Sequence, residues 1–367
     1  MNILILSWRG PGHPSAGGAE QSTWQHAKGW VKAGHHVTLL TAVFVSCQPR
    51  EVQGGVNILR IGDQFIGVRC AAFFWYWFGK HSSFDLVVDE FHGIPFFTPV
   101  WAFKSKILGF IHEVAQPVWH LNTWPKPFNL IPAIIGKIGE PLVFKLLYRQ
   151  IPFMTVSEST KKDLVNFGVK KVTVVHNGVT LPKKLPKAAK EKTFTVIYLS
   201  ALAKDKGIED AIRAFELFHR RFPRSKFWIV GKGDYNYVSY LKSQCKSGKF
   251  LGYVSENKKF ELLARAHVLL NPSIHEGWGL VNIEANSVRI PVVAYNVPGC
   301  RDSIKNNITG RLCPQFGISC LAESINKLMT NNPLYKRLST NAWSWSNQFS
   351  WTNATNQSLK LISSITS

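Results

Sequence analysis

The chain of 367 residues predicts an α/β protein built from two Rossmann-like, doubly wound domains facing across a cleft. Three observations carry that expectation. Apolar strand-like runs alternate with helix-like segments, the pattern of parallel sheets covered by helices. The stretch from Leu181 to Lys190 interrupts it, rich in Pro and Lys and without apolar periodicity, and reads as an exposed linker. Beyond it the alternation starts again. The expected organisation is a domain over 1–181, a linker over 182–192, a second domain over 193–345, and a final helix over 346–367 returning to the first.

The elements follow in order. A strand over Asn2–Leu6, a long loop and a helix from about Ala19 to Ala33 lead to a strand over Val37–Leu40. Gly34 is placed to end that helix, and the set forms a β-loop-α-β unit. Further strands are expected at Leu86–Val88, Ile107–Phe110, Phe153–Val156 and Val172–Val175. Ser157 opens a segment that reads as a helix N-cap. After the linker come a strand at Thr195–Leu199, a helix at Ile208–Arg221, and strands at Lys226–Val230 and Lys249–Tyr253. A helix at Glu256–Ala264, a strand at Val268–Leu270 and a last strand at Pro291–Tyr295 complete the pattern, and the tail Ser350–Ile362 looks helical.

The net charge is +22, with 45% hydrophobic residues. Such a surface favours acidic partners: nucleotide diphosphates, anionic lipid headgroups or nucleic acid. Basic residues concentrate between Lys183 and Lys249 without interleaved aromatics or a recognised module, which argues against nucleic acid. Six cysteines show neither a Cys-x-x-Cys pair nor zinc-like spacing, so a reduced, cytoplasmic chain is expected. Met1 leads directly into a strand, so no signal peptide is expected. No run reaches the roughly 18 apolar residues of a membrane-spanning helix. Cys70–Phe78 and Ile131–Tyr148 come nearest and read as buried helices. The alternative lays one face on an anionic bilayer, with aromatics at headgroup depth and lysines reaching acidic lipids.

The chemistry concentrates in Ser273-Ile274-His275-Glu276-Gly277-Trp278-Gly279-Leu280-Val281-Asn282-Ile283-Glu284. Two glutamates stand eight positions apart around a Gly-x-Gly turn that opens a helix, with Glu284 expected a little over two turns down it. A helix N-terminus bounded by glycine offers unpaired N–H groups to an anion such as a diphosphate. Flanking carboxylates can accept hydrogen bonds from sugar and ribose hydroxyls. The constellation points to a nucleotide-sugar site. The N-terminal loop from Gly10 to Glu20 fits neither the dinucleotide fingerprint nor a P-loop, yet Gly17 and Gly18 before a helix can present N–H groups to a phosphate or substrate.

Gly17-Gly18-Ala19-Glu20 after the first strand, His176-Asn177-Gly178-Val179 before the linker, and the double-glutamate segment stand in the order of a known family. From Asn2 to about Met329 the chain resembles glycosyltransferase family 4, retaining enzymes of the GT-B fold. The resemblance implies that Glu276 lies against the transferred sugar and Glu284 binds the ribose. It implies that backbone amides of Gly277, Trp278, Gly279 and Leu280 surround the sugar and diphosphate. Lys206 matches the lysine that grips the diphosphate, a role suited to a compact cation. His112 matches a histidine near the reacting sugar. Gly231, Gly233 and Tyr253 match loops near the nucleotide base. The family's usual Arg five residues before that lysine is Ala201 here, with Lys204 as the neighbouring cation.

What this resemblance implies is a retaining transfer of a hexose, mannose or glucose by prior. The donor is a UDP- or GDP-sugar and the acceptor a glycan or lipid-linked one in envelope polysaccharide, glycolipid or glycoprotein synthesis. No cofactor and no metal are expected, since no Asp-x-Asp motif stands at a donor position. The alternatives are a sugar-nucleotide epimerase on the same fold, an inactive nucleotide-sugar-binding subunit and a basic nucleic-acid-binding protein.

Overall fold

A computed structural model of the chain describes residues 1–115, 119, 130–182 and 188–367. Residues 183–187 of the expected linker lie outside the described residues. The chain divides into two compact units: Met1–Gly178 with Trp351–Ser367, and Val179–Ser350.

In the first unit, β1 (Asn2–Leu6), α1 (Gly18–Lys32), β2 (His36–Thr41), β3 (Arg50–Gln53) and β4 (Val56–Arg60) precede α2 (Gly67–Phe78) and β5 (Leu86–Phe91). Then come β6 (Lys106–Ile111), α3 (Leu130–Leu147), β7 (Pro152–Thr155), α4 (Glu158–Asn166) and β8 (Lys171–Val174). The sheet order is β3-β4-β2-β1-β5-β6-β7-β8, parallel except for the β3–β4 pair. Strand interiors such as Ile3–Leu6 and Leu86–Phe91 are buried end to end, as a sheet covered on both faces requires. Ser157 caps α4 by accepting from the Thr160 amide, as its position in the sequence implies.

The second unit runs β9 (Thr195–Leu199), α5 (Ile208–Arg221), β10 (Lys226–Val230), α6 (Tyr235–Gln244), β11 (Gly248–Gly252), α7 (Glu256–Arg265) and β12 (Val268–Asn271). It continues through α8 (Leu280–Ser287), β13 (Val292–Tyr295), α9 (Cys300–Ser303), β14 (Gly310–Cys313), α10 (Ile318–Thr330) and α11 (Asn332–Ser346). Its sheet is all parallel, in the order β11-β10-β9-β12-β13-β14. The doubly wound class is therefore present in each unit. The last helix, α12 (Trp351–Thr366), belongs to the first unit and lies on α1. There the Ser358 hydroxyl meets His26 Nδ1 and accepts from Trp30 Nε1, both at 2.9 Å and buried.

Several expectations are corrected. Pro291–Tyr295 does not hold the last strand, because β14 pairs beyond it. Cys313 and Cys320 form a disulfide with Cα atoms 5.7 Å apart, so the reduced state expected of all six cysteines fails for this pair. The turn closed by the Gly317 amide on the Pro314 carbonyl folds α10 back onto the end of β14, a juxtaposition that spacing alone does not encode. The helices expected to be buried are buried on one side only. Ala133, Glu140 and Phe144 of α3 face inward, while Leu130, Ile134, Ile138, Leu142 and Leu146 are exposed, the last at 68%. On α2, Phe73, Phe74 and Phe78 are exposed likewise. Among the described residues no helix is long and apolar enough to cross a membrane.

Replacing Ser358 by Ala leaves a buried indole N–H and an imidazole nitrogen without their shared partner. We expect a loss of about 1–3 kcal/mol, read from the urea unfolding midpoint.

Candidate functional site

In the second sheet β9 and β12 are neighbours from which the chain winds outward in opposite directions, so their carboxyl ends form a topological switch point. The loop after β9 is folded by the Tyr198 hydroxyl, which donates to the carbonyls of Ala201 and Lys206, each at 3.1 Å. A 3-10 turn over Lys204–Lys206 ends at Gly207, whose φ of 65° places it in the left-handed region. A Cβ there would stand 1.8 Å from the Pro272 carbonyl oxygen, so glycine lets the β9 and β12 loops touch. The Ile274 amide donates to the Asp205 carbonyl at 2.9 Å and fastens them.

The β12 loop ends at Gly279, left-handed with φ 75°, which caps α8. A buried chain of amides roots the helix: Asn271 Nδ2 donates to Asn282 Oδ1 at 2.8 Å and Asn282 Nδ2 to Ser303 Oγ at 3.0 Å. Because α8 begins at Leu280, Glu284 is its fifth residue, a little over one turn down, not two. Gly277 and Trp278 precede the helix buried, with the Trp278 ring edge-on to Phe349.

The two loops bring charges together. Lys206 Nζ lies 3.2 Å from Glu276 Oε1, 3.3 Å from the His275 carbonyl and 3.7 Å from Asp205. Glu284 Oε1 lies 2.7 Å from Nζ of Lys259 on α7, which also pairs with Glu256 at 2.8 Å. Burial pushes the Glu284 carboxyl up, and the Lys259 charge and hydrogen bond pull against that shift. Gly231 and Gly233 flank a turn whose Lys232 carbonyl accepts from the Leu202 amide at 2.8 Å. Tyr253, after β11, is 75% exposed, with Lys232 Nζ 5.7 Å over its ring. Ala201 and Lys204 are exposed on the β9 loop.

Gly17, Gly18 and His112 belong to the first unit, whose own switch point falls between β1 and β5. The Gly17 amide donates to Glu20 Oε2 at 2.7 Å and is thus occupied by its own helix, which starts at Gly18. His112, at the end of β6, is buried with Nε2 3.2 Å from Glu90 Oε1. Thr23 donates to that oxygen at 2.6 Å, and His92 Nε2 stands 3.4 Å away. Burial would push the Glu90 carboxyl up, yet the His112 hydrogen bond and the His92 imidazole beside it hold it well below its ordinary value. An ionised carboxylate only accepts, so Nε2 of His112 carries a proton. Its Nδ1 has no hydrogen-bond partner among the described residues.

Asp89 and Glu90, neighbouring acids on β5, are both buried. They sit on opposite faces of β5, as successive strand residues must. Asp89 pins the following loop through the Phe96 amide at 3.0 Å and the Thr98 hydroxyl at 2.7 Å, and accepts from the Tyr148 hydroxyl just beyond α3 at 2.6 Å. Beside Glu90 a cavity of about 450 Å³ is lined by Trp8, Phe65, Phe91, His92 and His112. Donor atoms of Glu90, His92 and His112 lie within 4.8 Å of one another, near enough to share an ion. A ligating imidazole ordinarily has its second nitrogen oriented by a partner. For His112 Nδ1 no such partner stands among the described residues.

A model of glycosyl transferases group 1 matches residues 182–345, and one of glycosyltransferase family 4 matches residues 16–182. The chain belongs to this family of glycosyltransferases, and its fold is GT-B. It is similar to a glycogen synthase of Mycobacterium tuberculosis, at 27% identity over 175 residues, 46% of this chain and 42% of that one. It is 25% identical over 234 residues to a poly(glycerol-phosphate) alpha-glucosyltransferase of Bacillus subtilis, covering 60% of this chain and 34% of the relative. The chain thus spans less than half the length of these relatives. In structure it resembles a sucrose-phosphate synthase of Thermosynechococcus elongatus, with TM-score 0.76, 16% identity and coverage of 99% and 98%. It also resembles HepE of Anabaena in complex with UDP and glucose, with TM-score 0.74, 19% identity and coverage of 99% and 100%.

Glu90 gives a pH test. Its folded carboxyl lies below the ordinary value of 4.5, so its stabilisation is full above that pH and is lost as pH falls below it. Glu90→Gln should cost roughly 1–3 kcal/mol between pH 5 and 8. The gap to wild type in urea midpoint should narrow as pH drops from about 4.5.

Proposed function

We propose that the protein transfers a hexose from a nucleoside-diphosphate sugar to a glycan or lipid-linked acceptor, with retained anomeric configuration. The observation that carries this reading is the meeting of Lys206 and Glu276 beside the amino end of α8, at the switch point of the second sheet. Anionic ligands favour such a place, because orphan N–H groups and the helix dipole are directed at it. UDP is the favoured leaving group over GDP. HepE, of the same fold, has been solved with UDP-glucose, and a pneumococcal O-GlcNAc transferase with UDP and GlcNAc.

In this reading negative charge builds on the leaving diphosphate as the sugar gains oxocarbenium character. Lys206 and the α8 amides stabilise it by preorganised electrostatics. Attack comes from the face of departure, and the leaving phosphate oxygen takes the acceptor's proton. Glu276 orients the sugar and does not attack, unlike the paired acids of a glycoside hydrolase. Glu284 accepts from the ribose. The charges come from the chain itself, so turnover should survive EDTA.

Titration with UDP, GDP, ADP and dTDP in the absence of metal tests the donor site. Selective binding of one is expected, and Glu276→Gln should lower turnover by about 100-fold or more in a folded protein. No binding to any would mean that the site has decayed where Ala201 replaces the usual arginine.

The exposed stripe on α3 supports an acceptor held at a membrane. Leu130, Ile134, Ile138, Leu142 and Leu146 would enter the headgroup boundary, and Lys137 and Lys145 on the same helix suit acidic lipids. Flotation with phosphatidylglycerol vesicles, but not with phosphatidylcholine alone, is expected. Ile134→Glu with Ile138→Glu should abolish it. Equal recovery of wild type and variant would refute the membrane face.

A further inference from the structure

Lys259 is the fourth residue of α7, outside every loop that the glycine motifs mark. Its ammonium is nevertheless joined to the site. Nζ lies 2.7 Å from Glu284 Oε1 and 2.8 Å from Glu256 Oε2, with the Lys259 and Glu284 side chains only 12% and 9% exposed. A carboxylate this buried is costly to keep charged unless it is paired and hydrogen-bonded. Among the described residues, the cation that meets Glu284 is Lys259. Glu284 is also fixed from its backbone, since α8 is rooted by Asn271 and Asn282. The side chain then has its torsions left to set, and a salt bridge at one oxygen sets them.

The charge matters for recognition. A carboxylate offers lone pairs alone and accepts from any hydroxyl, whereas a neutral carboxyl carries its own donor, which competes with a hydroxyl for the available acceptor sites. We propose that Lys259 is a positioning residue of the donor site: it clamps Glu284 as an oriented carboxylate that accepts hydrogen bonds from the ribose hydroxyls of a nucleoside diphosphate. This rests on the function proposed above. It adds a residue whose place on α7 keeps it away from the chemistry and whose effect on binding passes through Glu284.

The test is calorimetric titration of wild type, Lys259→Met, Lys259→Arg, Glu284→Gln and the Lys259→Met/Glu284→Gln double variant. The ligands are UDP, its 2′,3′-dideoxy counterpart and inorganic pyrophosphate. Lys259→Met should weaken UDP by roughly 10- to 100-fold, and Lys259→Arg should recover part of the loss. The double variant should bind UDP no more weakly than Glu284→Gln, since residues acting as one unit are not additive. Dideoxy-UDP and pyrophosphate should bind wild type and Lys259→Met alike. Equal loss on pyrophosphate would make Lys259 a direct phosphate ligand and overturn the proposal. So would additive losses, or unaltered UDP binding by Lys259→Met. If Lys259→Met does not fold, by circular dichroism, Lys259→Arg and Glu284→Gln carry the same comparison across the three ligands. Wild type that binds none of the nucleoside diphosphates would refute the function itself, a result distinct from a wild type that binds while its variants do not discriminate.

Discussion

Everything at the candidate donor site depends on one backbone approach, that of Gly207 to the Pro272 carbonyl. Strand order puts β9 beside β12, but neighbouring strands alone leave their loops free to diverge. The left-handed glycine lets the two loops touch, and the Asp205–Ile274 hydrogen bond locks them. Only then can a lysine from one loop reach a glutamate from the other. The ion pair follows from the sheet through the glycine, and side-chain chemistry comes last.

A second regularity links the two units without reference to their arrangement. Each buries acids at the carboxyl end of its sheet, and each acid is held by specific donors. Asp89 takes an amide, a threonine and a tyrosine; Glu90 takes a threonine and a histidine, with a second imidazole 3.4 Å away; Glu284 takes a lysine. In a chain with 22 acidic residues against 44 basic ones, these few are buried and paired. Burial makes each of them expensive, and paired donors offset that expense.

Much of this was legible in the sequence, for a local reason. Strands such as Thr195–Leu199 and Lys226–Val230 and the helix Ile208–Arg221 stand where their apolar pattern and flanking glycines put them. The Glu-Gly-x-Gly-Leu segment announced its turn because glycine takes the left-handed φ of Gly279 most readily. The β3–β4 hairpin also carried a signal, the pair Gly54-Gly55 between short alternating runs, with both glycines left-handed. What stayed hidden was tertiary. Lys259 is one of two adjacent lysines on an exposed-looking helix, and nothing local ties it to a carboxylate 25 residues away. His92 and Glu90 form a cluster with His112 only because β5 and β6 pair in register, Glu90 opposite Phe110. The outward face of α3 was hidden by its composition, because a helix apolar all round does not say which side is covered.

The return of α12 to the first unit makes the second unit, 179–350, an insertion within the first. A ribosome delivers Trp351–Ser367 after every residue of the inserted unit. The sheet of the first unit and the whole of the second can therefore form while α1 still lacks its cover. Trp30 and His26 wait for Ser358 until the last helix emerges. The segment made first is the one finished last, so a chain released short of α12 would carry a completed second unit and an open first one.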